Sequence, residues 1–344
     1  MREGVKKYFQ PFVDDLAEIY QDIELEGQVI WKGKRDCAGR WEVIKKQIKP
    51  GMVIFDLGSS TGYFTIKIAK EFPSCLVISM ECMHAEANLQ RELLNFEDLH
   101  NVVLLKHRLT VEDLLEWIKC VESIDLLLAV SVLHHFPTES TLDVLGHLSR
   151  MIPEIVAEIP EVEESEACGQ GAIRHLAPFK DVLEMHYPSV KALGKFKSHL
   201  GDNERNVWKA RKILSRGGLL AYWNSPNTIK RHTISKVAGE WKIDDKKKFI
   251  AGVNVWTLLQ FNPIWPEPGW WQNQALYGLK IVRITHNYIS DIRPWNMLMT
   301  SKGLEFFDIT DKFPKGDQAE FRETDIDKLV TVFTEMKPLE WKGL

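Results

Sequence analysis

The feature that most constrains the fold is the stretch VIFDLGSSTGYFTIKIAK, which runs from Val53 to Lys70. It begins with apolar residues typical of a buried strand and turns through small residues, Gly58–Gly62, here called the glycine loop. It then continues with apolar residues at helical spacing. Strand, glycine turn and helix in this order are typical of nucleotide-binding proteins. The stretch therefore predicts a nucleotide site at the end of a buried strand.

Strands and helices are predicted to alternate along the chain after residue 50. The predicted strands lie at 53–57, 75–80, 102–105, within 123–133, and at 154–159 and 190–199. The predicted helices lie at 62–71, 85–96, 111–121, 140–151 and 171–186. This rhythm predicts an α/β fold with a doubly wound, mainly parallel seven-stranded sheet.

The two ends of the chain differ from this pattern. Residues 1–50 show helical spacing and are predicted to form a helical N-terminal extension of the α/β domain, which spans 1–225. The alternation of predicted strands and helices ends after Gly217 and Gly218, so a small α+β tail is predicted at 226–344. Within the tail we expect β-hairpins at 231–243 and 296–310 and a helix at 273–289.

The pattern around the glycine loop differs from that of a dinucleotide site. A dinucleotide fold uses G-x-G-x-x-G at its first turn and an acid about 20 residues later. Here Asp56 precedes the glycines, and small residues follow at Gly58, Ser60 and Gly62. A second acid, Glu81, follows the second strand 23 residues after Gly58 and suits hydrogen bonds to both ribose hydroxyls.

These residues resemble class I S-adenosylmethionine-dependent methyltransferases. The similarity is carried by Asp56–Gly62, by Glu81 and by the string DLLLAVSVLHHF at 125–136, and it covers roughly residues 25–225. One position departs from the family pattern, since Ser60 stands where the family has its middle glycine. The resemblance implies a Rossmann-like methyltransferase sheet and S-adenosyl-L-methionine as the cofactor.

The resemblance also implies roles for individual residues. Asp56 and the loop backbone would hold the methionine part of the cofactor, Glu81 the ribose, and Met83 the adenine. The segment HRLT at 107–110 would flank the adenine, although the acid or amide that the family often has there is absent. The implied cofactor-binding residues are Asp56, Gly58, Ser59, Ser60, Gly62, Tyr63, Glu81, Met83, Leu109 and Ser131.

Candidate catalytic residues lie where the fourth and fifth strands end. Methyl transfer chiefly needs alignment and exclusion of water, and a hydroxyl acceptor also needs a base near neutral pH. His134 and His135 follow the fourth strand, and Glu158 ends the fifth, so both positions face the crevice at the carboxyl ends of the strands. Glu158 would orient the acceptor or act as the base. For each histidine, packing or capping at a helix start is the alternative.

Charged residues flank this region on both sides. Lys34, Arg35 and Arg40 precede the first strand of the sheet, where positive charge suits the carboxylate of the cofactor or an anionic acceptor. The alternative is a charged helix start. The acids at 161–166 are interpreted as a solvated loop.

Part of the tail, SDIRPWNMLMTSKGLEFFDIT at 290–310, resembles protein-kinase-like phosphotransferases. Asp291, Asn296 and Asp308 match the substrate-proton acceptor and the magnesium-binding residues of that family. Similar strings occur in bacterial O-antigen methyltransferase–kinases. The resemblance therefore links the two parts of this chain in an order that such enzymes use.

The length of the tail argues against a working kinase. Only 65 residues (226–290) precede Asp291 in the tail and 36 follow Asp308, whereas a two-lobed ATP fold needs a large domain. Ile289 also replaces the histidine of the kinase catalytic loop. We interpret the segment as a kinase remnant with a structural or acceptor-binding role, and a chance hairpin capped by Asp291 is the alternative.

Composition argues against several other functions. A net charge of -4, and the absence of an Asn/Asp-Pro-Pro-Tyr string after the fourth strand, argue against a nucleic-acid substrate. The five cysteines show no metal-ligand spacing, so no metal is expected. Their pattern is typical of reduced thiols in a cytoplasmic protein. No apolar run approaches the roughly 20 residues of a membrane-spanning helix. The start of the chain also lacks the pattern of a signal peptide.

The sequence thus predicts a methyltransferase that acts on a polar acceptor. The resemblance of the tail to methyltransferase–kinases favours a hydroxyl of a glycan or of another polar small molecule. One alternative is phosphotransfer to a sugar by the tail. The other is a non-catalytic scaffold protein that binds the cofactor without turnover.

Overall fold

The computed structural model describes residues 3–108, 110, 124–136, 145–146, 148–149, 152–160, 178–199 and 203–212, and the backbone of short strands between 234 and 310. The helices are α1 (Glu3–Asp14), α2 (Cys37–Ile44), α3 (Tyr63–Glu71), α4 (His84–Phe96) and α5 (Phe179–Glu184). None of these helices is long and apolar enough to cross a membrane.

Strands before residue 212 form a hairpin and most of the central sheet. They are β1 (Ile23–Leu25), β2 (Gln28–Trp31), β3 (Val53–Leu57), β4 (Leu76–Glu81), β5 (Val102–Lys106), β6 (Leu126–Val130), β7 (Glu154–Glu158), β8 (Ser189–Lys197) and β9 (Glu204–Arg211). The short strands of the tail are β10 (Ile234–Val237), β11 (Glu240–Ile243), β12 (Gly252–Asn254), β13 (Pro263–Ile264), β14 (Tyr288–Ile289), β15 (Met297–Thr300), β16 (Gly303–Phe306) and β17 (Ile309–Thr310).

Seven strands of the α/β region form one sheet in the order β5-β4-β3-β6-β7-β9-β8. The five strands from β5 to β7 are parallel, and β9 and β8 complete the sheet in antiparallel pairs. The predicted mainly parallel seven-stranded sheet is therefore confirmed. The tail adds β13, which pairs antiparallel with β5 at the edge of the sheet.

Both faces of the sheet are buried, which explains why its strands read as continuous apolar runs. Every residue of β3, β4, β6 and β7 is buried. On one face, Ile54 and Val77 share a core with Ile44 of α2, Phe64 of α3 and Leu89 of α4. The packed sheet leaves the carboxyl ends of its strands as the place where loops and polar side chains meet.

The N-terminal extension is not wholly helical, so this prediction was wrong for residues 23–31. There β1 and β2 form an antiparallel hairpin. Glu26 and Gly27 lie in its tight turn with φ of 49° and 80°, the left-handed geometry that matches the twist of a two-stranded hairpin. Ile23 and Leu25 are buried and Glu24 between them is partly exposed, as expected for a strand with one buried face.

The tail contains the two predicted hairpins. Strand β10 pairs antiparallel with β11, and β15 pairs antiparallel with β16. Met299 of β15 is 1% exposed.

Other predictions lie largely outside the described residues. They include the helix at 111–121, most of the helices at 140–151 and 273–289, and the domain boundary near 225, which stays a prediction. Of the predicted helix at 171–186, the structure describes only the end, where α5 forms.

Candidate functional site

The glycine loop turns the chain between β3 and α3. Three of its residues have a left-handed backbone, with φ of 69° at Gly58, 55° at Ser60 and 86° at Gly62. A Cβ at Gly58 would lie 2.5 Å from Val132, and one at Gly62 would lie 2.6 Å from Gln90. Both positions therefore require glycine, while serine, a small residue, adopts the same backbone region at the third.

Glu81 ends β4 beside the glycine loop. Its Oε2 accepts a hydrogen bond from the Ser60 N–H at 2.6 Å. Its Oε1 accepts from the N–H groups of Cys82 and Met83 at 2.7 and 2.9 Å. Three backbone donors thus fix a carboxylate that is 6% exposed. Since a carboxylate offers about four lone-pair positions, it can still accept from a ribose hydroxyl.

Asp56 lies beneath the loop in a buried polar network. Its Oδ2 accepts from the Thr65 hydroxyl at 2.7 Å, and the same hydroxyl lies 3.2 Å from the Ser79 Oγ. Gln90 donates to the Ser79 Oγ at 2.6 Å. Burial raises the pKa of Asp56 to about 6, although the hydrogen bond from Thr65 opposes the change. Keeping this carboxylate charged in a buried position therefore costs free energy, and a bound cation would offset that cost.

The turn after β6 carries the two candidate histidines. The rings of His134 and His135 lie with centroids 4.1 Å apart, and His134 is buried whereas His135 is exposed. Surrounding protein atoms partly desolvate the His135 imidazole and lower its pKa, the charge of Glu81 opposes this, and Arg205 adds to it. A lowered pKa keeps the imidazole neutral near pH 7, as a general base requires.

Glu158, the third candidate catalytic residue, lies in a buried charge cluster. Its Oε1 accepts from Arg35 at 2.9 Å and its Oε2 from Arg40 at 2.7 Å. Ser131, with a φ of 64°, donates its N–H to the Glu158 carbonyl and its hydroxyl to Oε1. Arg205 donates to the Ser131 hydroxyl at 3.0 Å. The side chain of Glu158 is fully buried.

The electrostatics of Glu158 differ from those of a base. Burial alone would raise its pKa, but the nearby guanidinium groups, Arg35 foremost, outweigh burial and lower it. A carboxylate with a lowered pKa is a weak proton acceptor. The contacts thus favour a structural role, in which Glu158 holds the cationic side chains and Ser131 at the strand ends.

The other predicted cofactor residues differ in their surroundings. Met83 is 55% exposed just beyond Glu81, as an adenine contact would require. The Ser59 hydroxyl donates to Gln90 inside the loop. Tyr63 instead faces the N-terminal hairpin across a cavity of about 170 Å³, whose lining includes neither Glu81 nor His135. Leu109 lies outside the described residues.

Two residues of the site, Arg205 and Gln21, were not found from the sequence. Arg205 comes from β9, an antiparallel strand far along the chain, and no local motif marks it. Gln21 precedes β1, and its Oε1 accepts from the Tyr63 N–H at 3.0 Å and from the Thr61 hydroxyl at 3.3 Å. This amide caps the N-terminus of α3, a helix whose N-cap glycine has no side chain to do so.

The basic residues before the sheet separate into two kinds. Arg35 and Arg40 reach Glu158, whereas Lys34 is exposed and pairs with Glu18 at the surface.

In the tail, Asp291, Asn296 and Asp308 lie outside the described residues. Among the described residues, no group of His, Cys, Asp or Glu side chains is arranged to hold a metal ion.

The sheet order and the glycine loop define a Rossmann-like α/β fold. The structure is similar to that of the bifunctional kinase–methyltransferase WbdD, with a TM-score of 0.51 and 16% identity over 97% of this chain and 92% of that one. A 2.2 Å WbdD crystal structure also gives 0.51, with 15% identity over 95% and 86% of the two chains. At these identities the similarity establishes the fold.

A weaker similarity connects the chain to the N-terminal domain of EvdMO1 with SAH bound. The TM-score is 0.46, with 16% identity over 60% of this chain and 97% of that one. A score this low does not by itself establish a shared fold. No protein-family model and no curated protein sequence matches the chain.

Proposed function

We propose that the protein is an S-adenosylmethionine-dependent methyltransferase that acts on a polar acceptor, namely a hydroxyl of a glycan or of another small molecule. The observation that carries this proposal is the contact between Glu81 and the glycine loop at the carboxyl ends of β3 and β4. This contact places a fixed carboxylate beside a tight backbone turn at the carboxyl ends of these two strands. The WbdD fold, shared over 97% of this chain, supports the same reading.

The residues around the crevice each bind a different part of the cofactor. Glu81 accepts a hydrogen bond from a ribose hydroxyl, Met83 packs against the adenine, and the glycine loop lets the backbone pass close to the ligand. Asp56 lies beneath the glycine loop, where its buried carboxylate suits the ammonium of the methionine part. When bound, S-adenosylmethionine supplies an activated methyl group on a sulfonium.

His135 is the proposed general base. It is exposed at the end of β6, and its lowered pKa leaves the ring able to accept the proton of an acceptor hydroxyl near pH 7. His134 is buried beside it and would support the turn. Glu158 would hold this part of the crevice in place through Ser131 and the arginines, without accepting a proton itself.

Calorimetry with S-adenosylhomocysteine tests the cofactor assignment. Glu81→Gln should weaken binding by about 1.5–3 kcal/mol, roughly 10- to 100-fold, because a charged acceptor is replaced by a neutral one. Glu42→Gln is the matched control, since Glu42 is exposed on α2 and pairs with Lys45 at the surface. Equal affinity in the Glu81 variant and the control would remove Glu81 from the site.

Transfer of a labelled methyl group to sugars, lipids, peptides and RNA tests the acceptor class. With an accepted substrate, His135→Gln should lower the rate about 100- to 10,000-fold while leaving cofactor affinity unchanged. The wild-type rate should fall on acidification through a midpoint below 6.5, since the ring must be neutral to act. A full rate in His135→Gln, with His100→Gln as the exposed control, would exclude this base.

A further inference from the structure

The N-terminal hairpin and α3 border a cavity of about 170 Å³, here called the hairpin cavity. Its lining touches the glycine loop at Thr61 but includes neither Glu81 nor His135, so it is separate from the proposed cofactor crevice. The side chains that define it come from β1, α3 and α4: Ile23, Glu24, Tyr63, Ile66 and Leu93.

Tyr63 brings an unused polar group to the hairpin cavity. The residue is 6% exposed, and its ring centroid lies 5.8 Å from the Lys67 Nζ. Its backbone N–H donates to Gln21, whereas its hydroxyl makes no hydrogen bond within the described part of the chain. Burial raises the pKa of Tyr63, and the charge of Glu24 raises it further. Since a buried hydroxyl without a partner is costly, native proteins rarely leave one unexplained, and a ligand in the cavity would supply the partner.

The ionisable groups of the hairpin cavity favour a cationic ligand. The lining carries three carboxylates and two ammonium groups: Asp22, Glu24, Glu71, Lys67 and Lys70. Asp22 and Lys70 each pair with a residue outside the lining, so within the lining the ammonium of Lys67 faces two carboxylates. An anionic ligand would therefore meet more negative than positive charge, whereas a cation would balance it.

The free acceptor and the apolar wall define the ligand further. Glu24 accepts from Lys67 at 2.6 Å through Oε1, and its Oε2 has no partner among the residues that the structure describes. Ile23, Ile66 and Leu93 are buried and form the apolar part of the lining. An apolar cavity of about 150 Å³ holds benzene, so the hairpin cavity has room for about one six-membered ring with a short arm.

We propose that the hairpin cavity binds a small organic amine, whose ammonium contacts Glu24 and Tyr63 and whose apolar body packs against the buried aliphatic side chains. An ammonium offers three donors, which suit the free Oε2 of Glu24 and the oxygen of the Tyr63 hydroxyl. A hydrogen bond to the charged carboxylate is stronger than one between neutral groups, so the charge of the ligand sets its affinity. This site is independent of the proposed methyltransferase activity.

Benzylamine and benzyl alcohol test the charge requirement, because they have nearly the same size and only the amine is cationic at pH 7. NMR titration of the full chain should give a dissociation constant of about 1 mM for benzylamine, and binding about 10-fold weaker or more for benzyl alcohol. Equal affinities for the two compounds, or no benzylamine binding at about 10 mM, would overturn the inference. This comparison uses the wild-type chain, so it does not depend on the folding of a variant.

Two conservative substitutions locate the bound amine. Glu24→Gln should weaken benzylamine binding about 10-fold or more, and Tyr63→Phe, which keeps the ring, about 3- to 10-fold. The matched controls are Glu26→Gln in the hairpin turn and Tyr8→Phe on α1, since both residues are exposed and lie outside the lining. The controls should keep the wild-type affinity. Wild-type affinity in Glu24→Gln or in Tyr63→Phe would place the amine elsewhere and overturn the inference.

Discussion

Replacing Asp56 by asparagine should stabilise the cofactor-free protein at neutral and alkaline pH. The side chain is 2% exposed beneath the glycine loop, and burial raises its pKa from 3.8 to about 6. Asparagine has nearly the same shape and carries no charge, and its Oδ1 can still accept the hydrogen bond that Thr65 donates to Asp56. The substitution thus removes a buried charge while it keeps the local contacts.

The magnitude follows from the two pKa values. A difference of roughly two pKa units at about 1.4 kcal/mol each gives about 3 kcal/mol as an upper value. A raised folded-state pKa means that the folded state binds its proton more tightly, so this favourable contribution is full below pH 3.8 and is lost as the pH rises through about 6. Asparagine does not titrate, so its advantage should grow from near zero at pH 4 to about 3 kcal/mol at pH 8.

Chemical denaturation at several pH values between 4 and 8 measures this difference directly. Asp14→Asn, the same change at an exposed residue of α1, is the control and should show no such dependence. The Asp56 variant should also bind S-adenosylhomocysteine more weakly, which is the expected trade between stability and function at a binding site. A variant that is less stable than wild type at pH 8, or whose difference from wild type does not change with pH, would refute the reasoning.

Two further substitutions probe the glycine loop and the charge cluster. Gly62→Ala should lose about 2–4 kcal/mol of unfolding free energy by denaturation, because alanine is strained at a φ of 86° and its Cβ would meet buried Gln90; wild-type stability would show that the loop adapts. Glu158→Gln should lose about 3–5 kcal/mol at pH 7, because Arg35 and Arg40 remain buried without their anion. The folded-state pKa of Glu158 is lowered, so this contribution is present above 4.5 and lost as the pH falls through the folded-state pKa. A gap that stays constant on acidification would contradict the ion pairing.

The five parallel strands of the central sheet could be predicted because their signals are local. Parallel strands buried on both faces are read as short apolar runs, and the glycines at 58 and 62 mark a turn that other residues fit poorly. Glu81 could be predicted as a site residue because it ends the apolar run that forms β4. In each case neighbouring residues in the sequence determine the structure, so the pattern alone is sufficient.

The features of the fold and the site that could not be predicted depend on contacts between residues that are distant in the sequence. Arg205 joins the cluster only because β9 folds back against β7, and no feature of its own segment indicates this. Glu158 looks like a free carboxylate in the sequence, yet 118 residues separate it from Arg40, which binds it. The hairpin at 23–31 was missed because its turn residues, Glu26 and Gly27, are not the usual asparagine–glycine or aspartate–glycine pair.

The most direct test of the account is a crystal structure of the chain with S-adenosylhomocysteine. We expect the adenosine in the crevice at the carboxyl ends of β3 and β4, with a ribose hydroxyl within hydrogen-bonding distance of the Glu81 carboxylate. Density for the ligand elsewhere, or a ribose that contacts other residues, would contradict the assignment of this site.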